Sequence, residues 1–310
     1  MAEIAFSAAD LRIAPRRRRK ETFVRYALLV AASLSVVITV LIVVSLLGEA
    51  WQFVTGADFT WDSLTDIGWF PRRGSYDIGT LLVGSVIVTV IAMVVAWPLG
   101  VGSAIYLSEY AKPRVRRTLK PILEVLAGIP SVVLGYFALV TISPGLVQKV
   151  WTDAPQFNLM AAGIAVGILT IPLVASISED ALRSVPNSLR EASEGLGARK
   201  VTTTVKVVIP AAVSGLVAAF IVGVSRAIGE TMVVTIAGGA SGGSLFNTDP
   251  TKPGQTMTAA MASLATGTDS VRGASGAFQS LFFVGLILFL ITLVLNIISE
   301  RFVARVRQRY

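Results

Sequence analysis

A chain of 310 residues with 54% hydrophobic and 15% charged residues does not have the composition of a soluble domain. It contains no cysteine and no histidine, so disulfides, thiolate metal sites and the commonest general base are excluded, which weighs against an enzyme, a resident metal or a cofactor. The net charge of +8 does not call for nucleic acid, because the basic residues gather in the segments between apolar runs.

Residues 1–22 form a polar, basic segment around Arg16 to Lys20, read as a cytoplasmic tail that is either solvated or held on anionic lipid. The next apolar run, about 26–47, is too long for the core of a cleaved signal and reads as a first span. Five further spans follow at about 79–107, 119–142, 159–177, 208–237 and 277–299. Pro98 and Gly100 predict a kink or break in the second, and Gly128 to Ser131 an interruption in the third. Gly163 and Gly167 in the fourth have the spacing of a close helix contact. The expected organisation is a tail (1–22), a first span with its outer loop (23–70) and a core (71–310).

Charge distribution orients these spans. With the N-terminus in the cytoplasm, 21 Lys and Arg residues fall inside and five outside, with Arg226 left within a span. Six helices with both termini cytoplasmic is the expected topology of this all-α integral membrane protein. The outer segment 48–78 carries Trp51, Trp61 and Trp69, which suit the membrane interface. Residues 238–276 are rich in Gly, Ser, Thr and Ala; they either form short helices on the bundle or contact an external protein.

One cytoplasmic stretch differs from its surroundings. In residues 187–210, Asn187 starts a short helix on which Leu189, Ala192 and Leu196 share a face. Gly197 can end that helix in the left-handed conformation, and a second helix then enters the membrane through Pro210. Glu191-Ala192-Ser193, with Gly197 six positions after the Glu and Val207-x-Ile209-Pro210 to close, resembles the EAA loop of bacterial ABC importer membrane subunits. The resemblance implies a type I importer (MetI-like) permease fold and contact of this loop with a separate ATPase. Ser193 stands where the motif has Ala. The chain has no GxxxxGKS or GxxxxGKT phosphate loop, so ATP hydrolysis is expected of a partner chain.

Within the fifth span lies SRAIGET. Arg226 and Glu230 are four apart on one helix face, in a segment where each charge costs roughly 2.5–3.5 kcal/mol to insert. Gly223 and Gly229 lie near that face and would admit a helix or a ligand. Two readings stand. The pair locks helices together, or it forms an oxyanion site in which Arg226 supplies a donor fork and Glu230 accepts a proton carried by the anion. Glu124, near the start of the third span, is a further pathway candidate; it faces Arg226, a partner subunit, or the interface beside Lys120.

The segment from Gly223 to Met232 and the run AGIPSVVLGYFAL at 127–139 are similar to the PstC family of phosphate importer membrane subunits. The resemblance covers most of residues 70–305 and departs at Ile228, where the family has Leu. It implies a subunit of a bacterial inner-membrane importer that moves inorganic phosphate by alternating access, with Arg226 and Glu230 on the path. It also implies a PstA-like permease partner, two PstB-like ATPases and a PstS-like external phosphate-binding protein, with lipid around the spans. Another oxyanion such as sulfate, molybdate or phosphonate, the sister subunit PstA, a secondary transporter and a sensor remain as alternatives at this stage.

Overall fold

The computed structural model describes residues 15–56, 59–239, 242–267 and 275–306. The chain forms two units, Met1–Glu49 and Ala50–Tyr310. The first unit holds most of helix α1 (Pro15–Thr55), which begins well before the apolar run does. From Glu21 to Ile42 every side chain is exposed, on all faces, although the helix is strongly apolar from Tyr26 onward. A helix apolar all round that buries nothing in its own unit is suited to lipid. Residues 1–14 of the expected basic tail lie outside the described residues.

Among the described residues, the regular structure of the second unit is helical apart from a hairpin of two short strands, β1 (Trp69–Phe70) and β2 (Ser75–Tyr76). Its centre is the pairing of α2 (Ile78–Tyr110) with α5 (Leu159–Arg183). Gly163 sits on Ile91, Gly167 on Ala92 and Val95, and Gly100 on Val174. The contact positions rise together, so the two helices run parallel. A Cβ at Gly167 would approach the Ala92 carbonyl to 2.8 Å, so the expected glycine spacing does hold two backbones close. Helix α8 (Val213–Ile228) crosses α5 the other way, with Gly215 on Ala181 and Gly223 on Val174. Two parallel helices with one intervening crossing require that α4 (Ser131–Val150) traverse the full depth between them.

Three of the expected spans differ in detail. The second runs unbroken through Pro98. The proline removes the amide that would reach the carbonyl of Val94, a residue on the helix's exposed side. The third does not begin at 119. Helix α3 (Pro113–Ala127) is a separate amphipathic helix with no buried residue, and the span α4 starts after Gly128-Ile129-Pro130. Pro130 lacks the amide that would continue α3 and keeps Ile129 out of the helical region. The fifth is broken twice. Helix α7 (Lys200–Ala211) meets α8 at Ala212 with a bend of 71°, and α8 stops at Gly229 before a short α9 (Met232–Ala237). Pro210 cannot bond back to Lys206, and the π turn at Thr204–Val208 loosens the same stretch, which accounts for the first break. Among the described residues, five helices are long and apolar enough to cross a membrane, and six if α7 and α8 count as one bent span; the last is α11 (Ser275–Val306).

At the N-terminal end of α2, Phe53, Trp69, Tyr76, Leu81, Met257 and Val284 form a second core. Trp51 and Trp61 are exposed there as expected, but Trp69 is 1% exposed and belongs to this core. The Gly-rich segment after 238 does build a helix on the bundle, α10 (Met257–Ala265). Its approach, Gly254 to Ala260, is wholly buried, with the Met257 amide donating to Ser85 Oγ at 3.0 Å and the Gln255 carbonyl lying over Gly84. Residues 268–274 lie outside the described residues.

Candidate functional site

The other end of α2 carries the loop singled out above. Helix α6 (Asn187–Gly195) is short and amphipathic. It closes with Ala198 N–H donating to the Ser193 carbonyl at 3.1 Å and Gly197 at φ +81°, the left-handed close its glycine permits. The shared face packs only in part. Leu189 meets the core of Leu182, Val185 and Val208, but Ala192 is exposed and Leu196 is 90% exposed at the elbow. The inward polar contact is instead Ser193, whose Oγ lies 2.9 Å from Thr203 Oγ1 on α7. The residue that departs from the Glu-Ala-Ala pattern thus ties together the helices on either side of the elbow. Glu191 and Gly197 are exposed, and Pro210 begins the last turn before the bend.

Arg190 fixes α6 to the bundle. It donates to Glu109 Oε1 at 2.9 Å and Oε2 at 3.3 Å, to the Leu182 carbonyl at 2.8 Å and to the Val185 carbonyl at 2.6 Å. Nearby, Glu179 on α5 is 1% exposed and takes Arg116 and, at 3.3 Å, Lys120 from α3. Neither carboxylate was singled out from sequence. Glu179 had a signal: it shares a helix face with Ala175 and Leu182, both buried, and so is an acid on an apolar stripe. Glu124 is exposed, borders a small cavity with Lys120 and Glu179, and forms no ion pair among the described residues. Arg226 is paired with Glu230, and Glu124 lies beside Lys120.

The second location is the broken end of α8. Gly223 packs on Met93, near the midpoint of the 33-residue α2, and Arg226 follows one turn later. Gly223 therefore admits neighbouring helices, while a Cβ at Gly229 would meet only its own helix. Arg226 Nη1 donates to Glu230 Oε2 at 2.8 Å. The two side chains differ in cover: Arg226 is 45% exposed and Glu230 4%. Glu230 is held further by its backbone, whose carbonyl accepts from Thr258 Oγ1 on α10 at 2.8 Å. The same segment that closes the end of the bundle thus also positions the carboxylate. Chemically this is a permanent cation with open donors beside a shielded hydrogen-bond acceptor.

Comparison with known proteins decides the family. The sequence profile described as "Binding-protein-dependent transport system inner membrane component" matches residues 96–309. The chain belongs to this permease family. The permease is 32% identical over 281 residues to the phosphate transport system permease protein PstC of Pasteurella multocida, covering 81% of this chain and 84% of that protein. It is 33% identical over 233 residues to a probable ABC transporter permease, YqgH, of Bacillus subtilis, covering 74% and 75%. Its fold matches a bacterial alginate ABC transporter chain with a TM-score of 0.65 over 93% of this chain and 96% of that one, at 14% identity. The permease is thus an inner-membrane component of a binding-protein-dependent transporter and not itself the catalyst. Membership implies that it works with an ATPase and an external binding protein.

Proposed function

We propose that the permease carries inorganic phosphate across the bacterial cell membrane, with Arg226 and Glu230 on the path. The observation that supports this best is the uneven cover of the pair. An arginine deep in a membrane bundle is costly to leave facing lipid, so its open side calls for a second protein surface or a watered path. A PstA-like permease partner supplies that surface, and the path runs between the two subunits. Phosphate at neutral pH retains a proton that Glu230 can accept, whereas sulfate has none to give and meets a repelling carboxylate. Relatives that carry the name phosphate permease over most of their length favour the same substrate.

In this reading α7 and α8 are one bent fifth span, the chain has six spans, and both termini and α6 are cytoplasmic. The parallel run of α2 and α5 and the opposite run of α8 agree with that order. One of two PstB-like ATPases docks on the elbow through Glu191, Ala192 and Gly197, and a PstS-like protein delivers phosphate from outside. Closure of the ATPases moves α6 and, through Ser193 and Pro210, the bent span, which alternates access to the pair. A ligand biases such states only by binding them unequally.

The test is ATP-dependent uptake of labelled phosphate by proteoliposomes holding the permease with its copurified subunits and external binding protein, with sulfate as competitor. Phosphate uptake resistant to sulfate and abolished by Arg226→Ala in an assembled complex is expected. Full uptake by Arg226→Ala would remove the site assignment, and uptake of another solute would remove phosphate.

A further inference from the structure

A polar cavity of about 380 Å³ lies at the foot of α6, away from the Arg226–Glu230 pair. Its walls come from five elements: the end of α2 with Glu109, α3 with Arg116, the last turn of α5 with Arg183, α6 with Arg190 and Glu194, and the start of α7 with Lys200. Four cations therefore face two carboxylates. Glu109 is committed to Arg190, which grips it through two nitrogens. Arg116 reaches Glu179 outside the cavity, and Glu179 also serves Lys120. Arg183 and Lys200 are exposed and belong to no ion pair among the described residues, although Lys200 lies 5.2 Å above the Tyr110 ring. The cavity is thus a preformed concave surface with a surplus of positive charge, in which Arg183 and Lys200 face inward outside any ion pair among the described residues, while the Arg190 donors are spent on Glu109, Asn187 and the Leu182 and Val185 carbonyls.

We infer that this cavity is a second oxyanion site, one that takes a phosphate group. Arginine forks match phosphoryl oxygens two at a time, and the cavity is roomy enough for a phosphate with its water shell. The carboxylates in the wall would turn away a fully deprotonated competitor more than a protonated phosphate. Occupancy would join α3, α5, α6 and α7 through one ligand and so hold the coupling helix against the bundle. Under the topology proposed above the cavity faces the cytoplasm. Phosphate accumulating there would favour one position of α6 and slow further import. The same chemistry is offered by free inorganic phosphate and by the headgroup of an anionic lipid.

The test uses the complete transporter, free of nucleotide, in phosphatidylcholine nanodiscs, with Arg226→Ala in every sample so that the path site does not contribute. Inorganic phosphate is titrated and its phosphorus NMR line width followed. Saturable broadening that weakens about tenfold on adding Arg183→Gln, and less on adding Arg183→Lys, is expected from loss of one charge-assisted contact. Phosphate bound elsewhere in the complex is indifferent to residue 183. Discs containing phosphatidylglycerol separate the two sources. If the lipid displaces phosphate in an Arg183-dependent way, a headgroup fills the site; if phosphate still binds, the free anion does. Broadening that is absent, or unchanged by Arg183→Gln in both kinds of disc, overturns the inference. Because Arg226 is already replaced, neither result bears on the path assignment.

Discussion

Arg226 in the last turn of α8 and Glu230 just past its end share a hydrogen bond of 2.8 Å, yet one side chain is 45% exposed and the other 4%. Exchanging the two roles would leave a buried guanidinium and an open carboxylate, a site for cations. The observed order leaves the cation accessible and the acceptor shielded.

Glu230→Gln tests that asymmetry. The amide still accepts a hydrogen bond but no longer repels a dianion. Phosphate uptake is expected to persist at a reduced rate while sulfate becomes an inhibitor, measured as the ratio of phosphate uptake with and without excess sulfate. Unchanged discrimination would leave the pair with only the role of joining two turns.

Gly197→Ala separates backbone strain from crowding. No atom lies near the position an added Cβ would occupy, so the cost is that of holding a non-glycine residue at φ +81°, about 1–2 kcal/mol. The variant is expected to insert and assemble but to show ATP hydrolysis that transports less phosphate per turnover. Ser193→Ala, which restores the Glu-Ala-Ala pattern and removes the bond to Thr203, is expected to cost only about 1 kcal/mol and to loosen the same coupling slightly. Wild-type stoichiometry in Gly197→Ala would show that the elbow does not carry force.

Glu179→Ala leaves Arg116 and Lys120 beside an apolar surface without their shared acid. Helix α3 buries none of its own residues, so this carboxylate is its main polar attachment to α5. Faster trypsin cleavage at Arg114 and Arg117 is expected, with Glu179→Gln intermediate. Equal rates in all three proteins would show that α3 is held by other contacts.

Gly84→Ala would bring a Cβ to 2.3 Å from the Gln255 carbonyl, which is backbone and cannot swing aside. The segment before α10 should lift, and the bond from the Met257 amide to Ser85 should break. A cysteine placed at Thr258 would then react with an external maleimide reagent, as it should not in the otherwise unchanged protein. Since Thr258 also holds the Glu230 backbone, phosphate uptake by Gly84→Ala with Thr258 in place should fall as well.

Much of this was legible in the chain. The long apolar runs, the glycine elbow and the four-residue spacing of Arg226 and Glu230 each follow from local rules, and each is found. The breaks were harder. Pro98 and Pro210 look alike in sequence, but one sits in a helix whose freed carbonyl has open surroundings and the other adjoins a π turn that gives way. Helical spacing puts Leu189, Ala192 and Leu196 on one face without saying what covers it, and only Leu189 packs on the bundle. Arg190 and Glu109 are 81 positions apart, and nothing local announces such a pairing.

The 71° bend at Ala212 has a mechanical consequence. Thirteen residues separate Val213 from Arg226, a lever arm of about 20 Å at 1.5 Å per residue. A swing of about ten degrees at the fulcrum carries the far end through roughly 3 Å, enough to turn a hydrogen bond into an open gap. A small rotation at Ala212 would thereby be geared up into the making or breaking of individual bonds at the far end of α8.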